Sequence, residues 1–431
     1  MATRSTPPAA STPNYTGPFI TVTFLFGVFG FLTSLNSTLV PYLKSIFELS
    51  YGPAMLAAVA WFFAYLVFSV PSAKLIEAVG YKRTMIISLF IMVVGASLFI
   101  PAATLVSFKL FMTAIFVLAA GVCALQTSAN PYVSILGPEH SAPARLTLAQ
   151  AFNSLGSALA PVVAGAIILK HKVVLDAVTL ATKTVEERFA YKADIASTVL
   201  TPYIAIAGAL LLLGFAVMLM HLPAIESTRT FRPAEDGDPL LARSIWSYKH
   251  TVLGMVGLFF YVGVEISLAA ITINYCQTQG ITKVETAGFL LSFFFVLLMI
   301  GRFMGSFLMK WIKAEKLLAL MGILGVVLLL ISMFTHGYVA VWSLVLCGFA
   351  CSIMYPTIFT LGIAELGPMT SKGSGILNMG NVGGAVIPLL FGALADKVGS
   401  IQIAFVVPII CFVYVAYYGL SGYKPTHIAK G

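Results

Sequence analysis

Two polar stretches stand inside long apolar runs, and each is written twice. Leu148-Ala-Gln-Ala-Phe-Asn-Ser-Leu-Gly-Ser-Ala-Leu-Ala-Pro161 in the first half returns as Gly375-Ile-Leu-Asn-Met-Gly-Asn-Val-Gly-Gly-Ala-Val-Ile-Pro388 in the second. In both, a glycine (Gly156, Gly383) stands five residues before a proline (Pro161, Pro388), with side-chain amides on the preceding turn. The amides come in helical pairs: Gln150 with Asn153, Asn378 with Asn381, and Gln126 with Asn130. Spacings of three and four put both members on one side of a helix. An amide both donates and accepts, which suits a solute bearing hydroxyls that do the same. One net hydrogen bond is worth only about 0.5–1.5 kcal/mol, so several must converge to hold a hydrated sugar. Bonding between helices would use the same groups, and for any single amide it is an equal reading. Asn36, beside Thr33, and the Asn274-Tyr275 pair extend the candidate set to two further segments. Tyr355-Pro356 stands in the second half where Asn130-Pro131 stands in the first.

Glu265, in Tyr261-Val-Gly-Val-Glu-Ile-Ser, is the carboxylate deepest inside an apolar run. A charge is costly there, so Glu265 is the candidate for proton exchange, or for gripping a sugar hydroxyl. A structural partnership with Arg302 is the competing use; for Arg302 itself, reaching toward Lys310 or a helix end is the expected role. No phosphate loop, metal triad or Ser-His-Asp set is legible, and the histidines lie at loops or segment ends. The expectation is therefore no catalytic residue, no metal and no cofactor. Cys123, Cys276, Cys347, Cys351 and Cys411 all fall in apolar segments and read as buried small side chains.

These residues need a membrane to stand in. Of 431 residues 59% are hydrophobic and only 10% charged, far from the composition of a water-soluble domain. The apolar runs are long enough to cross a bilayer core of roughly 30 Å. Twelve are expected, near 18–41, 53–77, 84–104, 108–136, 145–169, 198–221, 250–275, 286–309, 315–334, 338–364, 373–395 and 400–421. The fold class is then an all-α membrane protein of two six-helix bundles. Residues 18–221 form the first and 250–421 the second, joined by a loop over 222–249 and flanked by tails at 1–17 (disordered) and 422–431. The net charge of +9 sits in short loops, which answers to positive-inside bias rather than to nucleic acid. Counting Lys and Arg in those loops puts both termini in the cytoplasm of a cell (inner) membrane protein. The echo between halves implies parallel repeats with a site between them near the midplane. The partners expected are lipid, a small sugar and a coupling ion, for a chain working as a monomer.

Several stretches resemble the major facilitator superfamily, and more narrowly the fucose–galactose–glucose–proton symporter family. They are Ala129-Asn-Pro-Tyr-Val, Leu136-Gly-Pro-Glu139, Arg145 to Gly156, Tyr261 to Glu265, Gly301-Arg302 and Gly383 to Pro388. The resemblance implies hexose uptake by alternating access, with Gln150 and Asn153 matching positions that line the sugar cavity. Two departures bear on coupling. Where fucose-transporting members carry an Asp after the Asn of span one, this chain has Asn36-Ser37, and where they carry a Glu in span four it has Gln126. Glu265, as in the glucose/galactose branch, is left for the proton, with sodium coupling or uncoupled facilitation as alternatives. A non-transporting sensor would need a signalling domain, and an exporter of lipids or drugs a cavity with few amides.

Overall fold

A computed structural model describes residues 15–46, 51–105, 107–163, 179, 182–220, 222 and 244–425. The tail ending at residue 14, most of the 222–249 loop and the side chain of Asn36 lie outside the described residues. Among the described residues, twelve helices are long and apolar enough to cross a membrane, the number the sequence predicts. They are spans one to twelve: Thr16–Leu35, Val59–Val79, Tyr81–Thr104, Phe108–Ile135, Glu139–Val163, Leu200–Leu219, Lys249–Thr278, Glu285–Leu308, Ala314–Phe334, Gly337–Gly362, Gly367–Val398 and Ile401–Gly422. The short turns joining most neighbours force them antiparallel. The near end is defined below as the end where odd-numbered spans begin, and the far end as its opposite.

Small residues decide which spans touch. In span five a Cβ on Gly156 would run into the Gly27 carbonyl of span one; in span eleven a Cβ on Gly383 would run into the Phe259 carbonyl of span seven. The two glycines are the repeat partners picked out by sequence, and each sets the same contact in its own half. Such close backbone approach is how helices gain packing energy where no hydrophobic effect separates them from lipid.

The prolines do the second piece of work. A helical proline leaves the carbonyl four residues earlier without its amide donor, and in a bilayer that oxygen must find another. Pro131 frees Thr127 O, which accepts from Ser374 of span eleven at 2.7 Å. Pro161 frees Ser157 O, which accepts from Ser34 of span one at 2.9 Å. Pro356 frees Ser352 O, which accepts from Arg302 Nε at 3.2 Å. At that last site span ten breaks into helices Gly337–Cys351 and Met354–Gly362. Span eleven likewise passes through a tight turn at Gly380–Val382 between Thr370–Met379 and Gly383–Val398.

Loop cations close the near-end helix termini. Lys82 donates to the Met218 and Met220 carbonyls at the end of span six, at 2.9 and 2.7 Å. Arg145 does the same for span four and its loop, reaching Ser134 O at 2.5 Å and Pro138 O at 2.7 Å. These are the last carbonyls of a helix, where positive charge is favoured.

Replacing Gly156 or Gly383 by Val should lower stability by about 1–3 kcal/mol, the usual cost of overpacking. Gly392→Ala, with nothing within 4 Å of the added carbon, should leave it unchanged. Thermal denaturation of the detergent-solubilised protein measures both.

Candidate functional site

Five side chains from four spans form a hydrogen-bond chain that runs in one direction and ends on a backbone carbonyl. Gln150 Nε2 donates to Asn130 Oδ1 at 3.5 Å, and Asn130 Nδ2 to the Tyr355 hydroxyl at 3.3 Å. Tyr355 donates to Asn378 Oδ1 at 2.9 Å, Asn378 Nδ2 to Thr127 Oγ1 at 2.8 Å, and Thr127 to the Cys123 carbonyl at 2.7 Å. The chain leaves span five, enters span four, crosses to spans ten and eleven, and returns to span four. Asn381 adds a branch, donating to Asn378 O at 3.0 Å. Asn130, Thr127 and Asn378 are fully buried. Each bond polarises the next in such a series, and no member is charged.

Asn130 and Tyr355, each followed by proline, occupy matching places in the two halves and meet directly, so the sequence echo is a physical contact. Asn130 had a second possible use, capping a carbonyl freed by Pro131. That carbonyl goes to Ser374 instead, which leaves the amide for Tyr355.

A second cluster lies one turn toward the far end. Tyr261 donates its hydroxyl to Glu265 Oε2, and its ring centroid is 6.2 Å from that of Tyr355. Tyr355 in turn stacks on Phe359. Glu265 is half-buried, as is Gln126, which lies one helical turn above Asn130. Among the described residues the Gln126 amide takes no hydrogen-bond partner. One amide and one carboxylate oxygen are thus left unspent just above the buried layer.

Arg302 is buried and spans the halves, with Nη1 donating to Gln150 O at 3.2 Å and to Ser154 Oγ at 2.5 Å. It does pair with a helix end, at the Ser352 carbonyl, and forms no ion pair with Glu265. Toward the near end, Ser306 donates to Ala144 O at 2.9 Å, Ser371 to Glu77 Oε1 at 3.2 Å, and Lys372 lies 3.8 Å from the same carboxylate. Among the described residues, the hydrogen bonds between the halves all fall between this level and the amide chain. The two halves are therefore fastened at the near end.

The expected site residues divide accordingly. Asn130, Gln150, Tyr355, Asn378 and Asn381 are brought together, with Gln126 and Glu265 directly above. Asn153 is not a member of the chain; its amide donates to the Phe26 carbonyl of span one at 3.1 Å. Asn274 is exposed and, nine residues beyond Glu265, lies half a turn round the helix from it. Asn36 lies outside the described residues. Thr127 and Tyr261 were not singled out. Tyr261 had a signal, since it precedes Glu265 by four residues; Thr127 had none, because its part depends on Pro131 and on span eleven.

A membrane bundle of twelve spans, fastened at one end over a buried polar layer, is the architecture of a secondary transporter. The model of the Major Facilitator Superfamily matches residues 22–388. The glucose/galactose transporter of Brucella abortus biovar 1 (strain 9-941) is 41% identical over 419 residues, covering 96% of each chain. The L-fucose-proton symporter of Escherichia coli (strain K12) is 33% identical over 410 residues, 94% of this chain and 92% of that one. A solved structure of a Major Facilitator Superfamily transporter, FucP, in the outward conformation superposes with a TM-score of 0.87 at 32% identity, covering 94% of this chain and 98% of that one. The chain belongs to the major facilitator superfamily, and it is a membrane transporter rather than an enzyme.

Removing the Tyr355 hydroxyl (Tyr355→Phe) strands the Asn130 donor in a buried site and leaves Asn378 Oδ1 only a long bond from Asn381 Nδ2, at 3.4 Å. Stability should fall by about 1–3 kcal/mol, the cost of leaving buried polar groups unsatisfied. Asn274→Ala should stay within about 0.5 kcal/mol, as exposed substitutions do. Thermal melts of both variants in one detergent supply the comparison.

Proposed function

We propose that this chain carries a neutral hexose across the cell membrane by alternating access, coupled to a proton through Glu265. One observation carries the reading: the polar layer between the halves is built from uncharged amides and hydroxyls, with the Gln126 amide and the Glu265 carboxylate left available on its far side. A sugar resting on that layer would find the Gln126 amide as donor and acceptor and the free Glu265 oxygen as a further acceptor. A cation would find one carboxylate and a nearby guanidinium, and an anion would face Glu265. The named relatives, a glucose/galactose transporter and an L-fucose-proton symporter, support the same substrate class.

On this reading the near end is cytoplasmic, both termini lie there, and the fastened state opens outward. The near-end loops carry Lys82, Arg83, Arg145, Lys310, Lys313, Lys316 and Lys372, in keeping with positive-inside bias. The likeness to FucP in its outward conformation is in accord. Residues 18–221 and 250–421 would move as the two rocking bundles. The proton enters from the far side, neutralises Glu265, and travels with the sugar once the near-end bonds part. Moving one charge through 100 mV supplies about 2.3 kcal/mol, enough for tens-fold accumulation.

Proteoliposomes test it directly. With an inward proton gradient, labelled glucose, galactose or fucose should rise above the external concentration. Glu265→Gln should abolish that rise while leaving sugar counterflow intact. Equal loss of both would assign Glu265 to sugar binding or structure, and uphill uptake driven by sodium alone would replace the proton. Gln126→Ala should weaken hexose binding by about 1–2 kcal/mol, the worth of one or two hydrogen bonds, read by titration of the purified protein.

A further inference from the structure

Arg302 is the charged group whose surroundings fit a structural role least well. It is 7% exposed, in span eight, six residues from the near end of that helix. A guanidinium held permanently in a bilayer core is normally matched by a carboxylate. Here the acceptors are two backbone carbonyls and a serine hydroxyl, all neutral. They come from different moving parts. Gln150 O and Ser154 Oγ belong to span five in the first half, whereas Ser352 O belongs to the break of span ten in the second. That break exists because Pro356 cannot donate to Ser352 O, and it fixes where Tyr355 enters the amide chain. Glu265 is within electrostatic reach of the same Tyr261 and Cys351 side chains as Arg302, yet is not bonded to it.

We propose that Arg302 is the positioning residue of the near-end gate: a releasable latch that ties span five to the span-ten break and so holds Tyr355 in line with Asn130. Neutral acceptors make the latch breakable. An ion pair across the same seam would have to be desolvated and re-formed in every cycle, whereas carbonyl and hydroxyl oxygens can hand their donor to water as the seam opens. Arg suits the task where Lys does not, because its planar fork reaches three oxygens from two helices at once. The inference rests on the alternating-access reading but not on the identity of the solute.

The test reads the seam without any sugar. Thr147 is buried in span five, with its hydroxyl 3.9 Å from Sδ of Met309, the residue that caps the near end of span eight, so a cysteine there can be alkylated only when the five–eight seam parts. Ala96, buried inside span three, serves as the control. N-ethylmaleimide labelling of Thr147→Cys and Ala96→Cys is followed by peptide mass spectrometry in the purified protein, so the native thiols do not contribute. Arg302→Gln should speed labelling at position 147 at least five-fold with position 96 unchanged. Arg302→Lys should give a smaller increase. Ser154→Ala, which removes one acceptor and keeps the cation, should act in the same direction. Unchanged labelling at position 147 in Ser154→Ala and Arg302→Gln would overturn the proposal. Equal acceleration at both positions would also overturn it, since that marks general loosening. A protein that carried no sugar at all would still give the expected result.

Discussion

The structure turns on a conflict between two demands made of the same groups. Polar atoms buried at membrane depth must be hydrogen-bonded, yet bonds between the two halves must break whenever a transporter changes face. The seam resolves this with exchangeable bonds, uncharged throughout the amide chain and, at Arg302, made by a cation to neutral acceptors. Gln150, Asn130, Tyr355, Asn378 and Thr127 are each satisfied by another side chain or a carbonyl, and no member carries a charge whose separation would be costly. The ion pair between Lys372 and Glu77 lies at the half-exposed edge, where water can replace it at little cost.

Proline is the element that makes this seam possible. Pro131 and Pro356 each release a carbonyl four residues earlier, and both oxygens are taken up by side chains at the interface, Ser374 and Arg302. Duplication of the half-bundle then brings Asn130 and Tyr355 to equivalent depths, where they bond each other. Glycine does the complementary work at Gly156 and Gly383, bringing spans five and eleven tight against spans one and seven. Packing within each half is thus backbone-close at these glycines; between halves Gly375 also lies close to the Ser69 carbonyl of span two, but the hydrogen bonds there are made by side chains that can let go.

Much of the architecture was legible in the sequence, because apolar run length and short loops dictate twelve antiparallel spans. The repeat also exposed Asn130 and Tyr355 as matched positions before matched prolines, though not that the two side chains bond each other. Helical spacing was a poorer guide to partners. Gln150 and Asn153 do share a side of span five, but Gln150 turns to span four while Asn153 meets a carbonyl of span one beside Gly27. A difference of 60° round the helix is enough to change neighbours, and which neighbour stands there is set by tertiary packing. Asn274 shows the same limit, for nothing in its sequence context tells one face of span seven from another. The break in span ten was hinted at only by Pro356, and the donor that satisfies the freed Ser352 carbonyl, Arg302 Nε, comes from span eight.

The central claim is that the near-end seam parts while the far end closes around a bound hexose. Double electron–electron resonance between spin labels at His140→Cys and Lys313→Cys, on the near-end loops of spans five and eight, reports the separation. In lipid nanodiscs without sugar a single short distance is predicted, and saturating hexose should add a longer component. A distribution that stays single and short with and without sugar, in protein that still performs counterflow, would contradict the account.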